Sequence, residues 1–132
     1  MSESATKTVQ CPRCINSRML EQTWKGIPIH ICMGCGANFF QAGDLAAWEG
    51  WRRDIPTTAE RAAVHAPAKL HCPVCAARME HVSFPVDPPI EIERCLSCQG
   101  ILLDFEEIRR VPEVGAWAAA RAKERSGRSA VS

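Results

Sequence analysis

The chain has 132 residues, with 16 lysines and arginines against 15 acidic residues and a formal net charge of +1. This near balance gives no overall basic signal of the kind that many nucleic-acid-binding proteins carry. No apolar run approaches the ~20 residues needed to cross a bilayer, so we expect no membrane segment. The first residues lack the charged and then apolar pattern of a signal peptide, which predicts a cytoplasmic protein with reduced thiols.

Cysteine is the most informative residue type, because all eight cysteines fall into four Cys-x-x-Cys pairs. Residues 1–10 precede the first pair and are expected to form a flexible tail. In residues 11–51, two strand-like segments on either side of a turn at Gly26 predict a β-hairpin between two cysteine pairs. An apolar pair follows, and Asp44 then opens a helix, since an acidic side chain favours the helix N-terminus.

Residues 52–70 are expected to form a linker with one short helix. Thr57 and Glu60 have the spacing of a capping box at its start, and Pro67 ends it. This composition separates the first cysteine-rich unit from a second one.

The second unit spans residues 71–110 and has the same organisation. Two strand-like segments lie between its cysteine pairs, separated by a proline-rich loop. Glu106 and Glu107 then open a helix; their side chains point about 100° apart, so we do not interpret them as an acid–base pair.

The C-terminal segment is predicted to be a separate helix over residues 111–125, because Pro112 suits a first helical turn. Residues 126–132 are expected to form a flexible tail. Arginines and a lysine in this segment either contact phosphate or form an ordinary exposed helix face; they are Arg121, Lys123, Arg125 and Arg128.

The two units are copies of one another. When their last cysteines are aligned, Phe39-Phe40 coincides with Leu102-Leu103, and Asp44-Leu45 coincides with Glu107-Ile108. The similarity therefore extends beyond the cysteines.

The eight cysteines are predicted to hold two zinc ions. Each unit of ~40 residues is too small to fold on an apolar core alone, and four thiolates at the ends of a hairpin suit a closed tetrahedral zinc site. The predicted ligands are Cys11, Cys14, Cys32 and Cys35 in the first site and Cys72, Cys75, Cys95 and Cys98 in the second. The predicted fold class is a small metal-stabilised α+β protein of two tandem zinc ribbons, each followed by a helix.

The chemistry of these sites leaves one rival metal and argues against catalysis. Iron is the rival, because a tetrahedron of thiolates holds either metal. A thioredoxin-type redox pair is disfavoured, since no pair lies in a βαβ pattern. Four thiolates leave no open position for water, so we predict that the chain is not an enzyme.

The turn within each cysteine pair usually needs a positive φ just after the second cysteine, where glycine is common. Ile15 and Ala76 occupy two of these positions. We therefore expect these two turns to be strained or differently shaped.

The second unit resembles the transcription factor IIB-type zinc ribbons, whose pattern is Cys-Pro-x-Cys, a hairpin, and Cys-x-x-Cys-x-Gly-[Ile/Val]-Trp-Leu-Asp. It reads CPVC and then CLSCQGILLD, with Leu102 where the family often has tryptophan. The first unit departs further, with Ala37 for the glycine, Asn38-Phe39 for the Ile-Trp pair and Gln41 for the aspartate. The resemblance covers both ribbons and implies a zinc-binding hairpin fold rather than a known activity.

Histidines and tryptophans near the cysteines have alternative interpretations. His30, His71 and His81 could replace a ligand, but four cysteines already complete each site, and we expect His30 to face solvent. Trp48 and Trp51 form either a platform for a partner or, as we favour, the apolar side of a helix that covers the ribbon.

The favoured function is a zinc-binding adaptor or regulatory module that recognises a macromolecular partner, and a protein partner is favoured. We expect no strong binding of duplex DNA, because residues 71–110 carry four arginines against seven acidic residues. The alternatives are a nucleic-acid-binding transcription regulator and a thiol-based redox sensor that releases zinc on oxidation. The oligomeric state, and whether the two ribbons contact one another, are open at this point.

Overall fold

A computed structural model describes residues 8–14 and 17–131 of the chain. Eight strands and three helices are found in this part of the chain. In chain order they are β1 (Thr8–Gln10), β2 (Arg18–Trp24), β3 (Ile27–Cys32), β4 (Asn38–Phe40), α1 (Asp44–Glu49), α2 (Thr57–Ala62), β5 (Val64–His71), β6 (Arg78–Phe84), β7 (Ile90–Cys95), β8 (Ile101–Leu103) and α3 (Phe105–Val131).

The strands form one antiparallel sheet in the order β1-β2-β3-β4-β8-β7-β6-β5. The two predicted hairpins are β2–β3 and β6–β7. Each ribbon supplies four neighbouring strands, and the ribbons meet where β4 pairs with β8. The two ribbons therefore contact one another through backbone hydrogen bonds and share a single sheet.

The junction between the ribbons is close to symmetric. Phe39 in β4 lies opposite Leu102 in β8, and these are equivalent residues of the repeat. Phe40 and Ile101 are paired on one side, as are Asn38 and Leu103 on the other. The chain thus contains, within itself, the arrangement of a two-fold dimer interface, in which the same patch of each copy meets its equivalent.

The main apolar core lies between one face of the sheet and the three helices. Both ribbons contribute to it, which is consistent with units too small to build separate cores. Its buried residues are Ile27, Ile29, Phe40, Leu45, Ile55, Ala59, Val82, Phe84, Ile90, Ile92, Ile101, Leu103, Val111, Val114 and Ala118.

A second buried cluster lies on the opposite face of the sheet, around the cysteines. It includes Phe39 and Leu102 at the junction, with Met19 from the first ribbon and Met79 from the second. Side chains alternate between the two faces of a strand, so neighbouring residues of β4 and β8 belong to different clusters. The junction strands are consequently buried on both faces.

The predicted linker contains a strand as well as a helix. α2 begins at Thr57 as expected, but residues 64–71 form β5, and Pro67 lies inside this strand instead of ending the helix. The sheet tolerates Pro67 because β5 is an outer strand with a free edge, and its pairing with β6 is irregular between Pro67 and His71. The structure thus places β5 in the region assigned to a linker.

The C-terminal region is one continuous helix, where the sequence predicts a break near residue 111. Pro112 lies inside α3, which extends from residue 105 to residue 131. The missing N–H of Pro112 costs one helical hydrogen bond, but the buried residues Val111 and Val114 anchor the chain on both sides of it. In the described part of the chain, no helix is long and apolar enough to cross a membrane.

The structure describes only part of the two predicted flexible tails, residues 1–10 and 126–132. In the first, residues 8–10 form β1 and pair with β2, whereas residues 1–7 lie outside the described residues. In the second, α3 continues through residue 131, and Ser132 lies outside the described residues.

Candidate metal centres

The first predicted ligand set comes together at one end of the first hairpin. Cys11 and Cys14 precede β2, Cys32 ends β3, and Cys35 follows it. The Sγ atoms of Cys11 and Cys35 are 3.7 Å apart, and those of Cys14 and Cys32 are 3.5 Å apart. All four sulfur atoms lie within 4.8 Å of one another.

The second ligand set repeats this arrangement in the second hairpin. The Sγ atoms of Cys72 and Cys98 are 3.6 Å apart, and those of Cys75 and Cys95 are 3.4 Å apart. These four sulfur atoms also lie within 4.8 Å of one another. The structure therefore brings together each of the two sets of four cysteines that the sequence predicts.

The spacing of the sulfur atoms fits a zinc ion. A tetrahedron with zinc–sulfur bonds of ~2.3 Å has sulfur–sulfur edges of ~3.8 Å, close to the distances in both clusters. A disulfide would need a separation of ~2.05 Å, and all eight cysteines are free thiols. Each cluster can hold one metal ion, consistent with two zinc ions per chain.

Three of the four knuckles, the Cys-x-x-Cys turns, share one backbone pattern. The N–H four residues after the first cysteine donates to the carbonyl of that cysteine, at 3.0 Å for Gly36, 2.9 Å for Ala76 and 2.9 Å for Gln99. These three residues have φ values of +80°, +66° and +66°. Of the two outcomes expected at Ala76, the structure shows the first: the turn keeps the shape of the one at Gly36, and a non-glycine residue is held in the left-handed region. Ile15 lies outside the described residues.

The knuckles also direct backbone N–H groups at the sulfur atoms. Gly34 and Cys35 donate to Cys32 Sγ at 3.3 and 3.4 Å. In the second ribbon, Val74 donates to Cys72 Sγ and Cys98 donates to Cys95 Sγ, each at 3.4 Å. Such donors stabilise thiolates, which is the form that binds metal.

The thiols differ in acidity because their surroundings differ. Burial raises the pKa of Cys11 and of Cys72 to about 12. Burial also raises the pKa of Cys32, but N–H donors from Cys35 and Gly34 and contacts with other thiols bring it to about 7. Without a metal, the four thiols of a cluster therefore cannot all ionise near neutral pH, and zinc must displace protons to bind.

The predicted bystander histidines lie outside both clusters. Among the described residues, only cysteines form groups that could hold a metal. His30 is buried rather than solvent-facing, with its ring 6.4 Å from that of Phe39. This corrects the expectation: His30 is paired with Phe39 of β4, so β3 is covered by a further strand on its side away from β2. His81 faces Glu93, with Nδ1 2.9 Å from the carboxylate.

The tryptophans and glutamates of the helices have structural contacts. Trp48 and Trp51 pack against the main core, as the favoured interpretation expects. Glu107 accepts a hydrogen bond from the Asp104 N–H at 2.9 Å, while Asp104 accepts one from the Glu107 N–H at 2.7 Å. This reciprocal pair caps the start of α3.

An ion pair between the two ribbons was not predicted. The Arg13 guanidinium donates to the Glu93 carboxylate at 2.7 Å, although the residues are 80 positions apart. Arg13 belongs to the first knuckle, and Glu93 is a buried residue of β7. Nothing in the sequence distinguishes the buried Glu93 from the exposed Glu91 two residues before it in the same strand.

Two closed four-cysteine clusters at the ends of β-hairpins define the class of zinc ribbons, here present twice. A model of the family described as transcription factor zinc-finger, of the TFIIB-type zinc ribbon, matches residues 10–49 and again residues 71–113. These segments cover more than half of the chain, and the chain therefore belongs to this family. No curated protein and no solved structure matches the chain.

Proposed function

We propose that this zinc-binding chain is a non-enzymatic adaptor or regulatory module whose partner is a protein. The observation that carries the proposal is the exposure of apolar side chains on the knuckles. Met33 is 65% exposed at the first site, and Val74 and Leu96 are 48% and 59% exposed at the second. Each is fixed on a metal-closed turn, so little chain entropy is lost when a partner covers it.

The basic side chains give further support to a protein partner over duplex DNA. Arg13, Arg94 and Arg110 each lie within 3.0 Å of a glutamate oxygen and are thereby neutralised. Strong binding of duplex DNA needs several lysines and arginines that face phosphates and release counterions. We propose a reducing, cytoplasmic setting, in which the free thiols remain available to zinc.

The proposal is tested by site-specific cross-linking in cells. The full chain carries a photoreactive benzoylphenylalanine at Leu96, and a matched variant carries it at Lys69, an exposed position on β5. We expect a discrete protein adduct from position 96 that is lost in a Cys98→Ser background. An adduct sensitive to nuclease, or equal adducts from both positions, would contradict the proposal.

Two alternative functions have specific support. The family description favours a nucleic-acid-binding regulator. Sub-micromolar, zinc-dependent binding of a labelled duplex at about 150 mM salt would establish it in place of the proposed function. The exposed ligands Cys35 and Cys75 favour a redox sensor, for which peroxide should release zinc before it modifies other residues.

A further inference from the structure

Arg13 joins the first metal centre to the second ribbon. It lies inside the first knuckle, between the ligands Cys11 and Cys14. Its side chain donates to Glu93 Oε1 at 2.7 Å. One residue therefore belongs to a metal-binding turn of the first ribbon and contacts a buried carboxylate of the second.

The Glu93 carboxylate needs the charge of Arg13 because it is buried. Its residue surface is only 3% exposed, and its other carboxylate oxygen lies 2.9 Å from His81 Nδ1. Removing the cationic partner of a buried carboxylate strongly destabilises the folded state, because the remaining charge is left unpaired. Glu93 also precedes the ligand Cys95 by two residues in β7, and it is held by pairing with β6 and β8. A disturbance at Glu93 would therefore reach the second metal centre.

We propose that the Arg13–Glu93 ion pair couples the two metal centres, so that metal at either site increases the affinity of the other. Metal closes the first knuckle and holds Arg13 against Glu93. That contact in turn stabilises the segment of β7 that presents Cys95. Thermodynamic linkage makes the effect reciprocal.

The repeat supplies an internal comparison. Val74 occupies in the second ribbon the position that Arg13 occupies in the first. Its side chain carries no charge and is 48% exposed. The ionic link is therefore made by one knuckle only, and Val74→Ala serves as a matched control.

The test uses the full chain with all eight cysteines intact, so that loss of folding does not obscure the result. Zinc is removed in steps with a chelator, and native mass spectrometry counts chains with two, one and no zinc ions. The ratio of the second stepwise binding constant to the first rises with the coupling; it also depends on how far the intrinsic affinities of the two sites differ, which the double-mutant cycle controls for. In Arg13→Ala we expect this ratio to fall at least about fivefold, with a larger population of the one-zinc species. Val74→Ala should leave it within about twofold.

A double-mutant cycle separates coupling from a local effect on the first site. Glu93→Gln alters the other end of the pair without changing the first knuckle. We expect it to reduce the ratio as Arg13→Ala does, and the double variant to add less than about twofold more. An unchanged ratio in Arg13→Ala, or full additivity in the double variant, would overturn the proposal and assign any coupling to the shared sheet alone.

Discussion

Replacing Gly100 with alanine tests whether the two ribbons share one closely packed junction. A Cβ at this position would clash with Cζ of Phe39 and would lie 2.8 Å from its Cε1. Phe39 is fully buried in β4, so its ring cannot move aside into solvent. Overpacking of this kind costs about 1–3 kcal/mol, whereas replacing a glycine by alanine recovers about 0.4–1 kcal/mol of chain entropy. We therefore expect a net loss of about 1–2 kcal/mol.

Thermal unfolding in excess zinc, followed by far-ultraviolet circular dichroism, measures this loss. Saturating zinc keeps both centres loaded, so that a change in metal affinity does not dominate the transition. For a chain of this size, the loss corresponds to a decrease in Tm of about 4–8 °C. Phe39→Leu supplies the control, because a shorter side chain leaves room for the new methyl group. In that background Gly100→Ala should be nearly neutral.

The reasoning would be refuted by a Gly100→Ala protein within about 0.5 kcal/mol of the parent, or by effects that simply add in the double variant. Either result would mean that Phe39 and Gly100 are not in contact and that the junction is looser than the structure describes.

Three further outcomes are expected. Elemental analysis should find two zinc ions per chain, and a single ion in folded protein would contradict the repeat. Because burial raises the pKa of Cys11 and of Cys72 to about 12, zinc binding should release protons, and the apparent Kd should weaken at least about tenfold between pH 7.5 and pH 6. Burial raises the pKa of Glu107 from 4.5 to about 7. The folded state therefore favours the protonated carboxyl group. This contribution to the free energy of unfolding is fully present below pH 4.5 and is lost as pH rises through 7. Glu107→Gln should accordingly be more stable than the parent at pH 8, by about 1–2 kcal/mol, with the difference shrinking towards pH 5; an equal difference at both pH values would contradict this origin.

The hairpins and cysteine clusters could be predicted because their signals are local. The four Cys-x-x-Cys pairs bring ligands together over a few residues, and the strand segments between them have a period of two. The positive φ just after the second cysteine of a knuckle is equally local: the turn geometry requires it at Ala76 whichever residue is present. These features depend little on the rest of the chain.

Strand β5 and the continuous helix α3 were missed because tertiary contacts override local preferences. Pro67 is unfavourable in a strand unless that strand has a free edge, and the sheet order is needed to know that it has one. Pro112 is unfavourable inside a helix, yet the buried residues Val111 and Val114 hold the helix together around it. In both places proline marks where the global fold outweighs the local signal.

The junction between the ribbons left a signal that could have been used. A strand with one wet face alternates apolar and polar residues, whereas Phe39-Phe40 and Leu102-Leu103 put apolar side chains on both faces of their strands. A segment that is apolar on both faces needs cover on both sides, which an isolated ribbon of ~40 residues cannot supply. The only cover of sufficient size is the other ribbon with its helices. Two equivalent apolar pairs in one chain therefore indicate strands in the middle of a shared sheet, and the Arg13–Glu93 contact, 80 residues apart in sequence, becomes possible only once that sheet has formed.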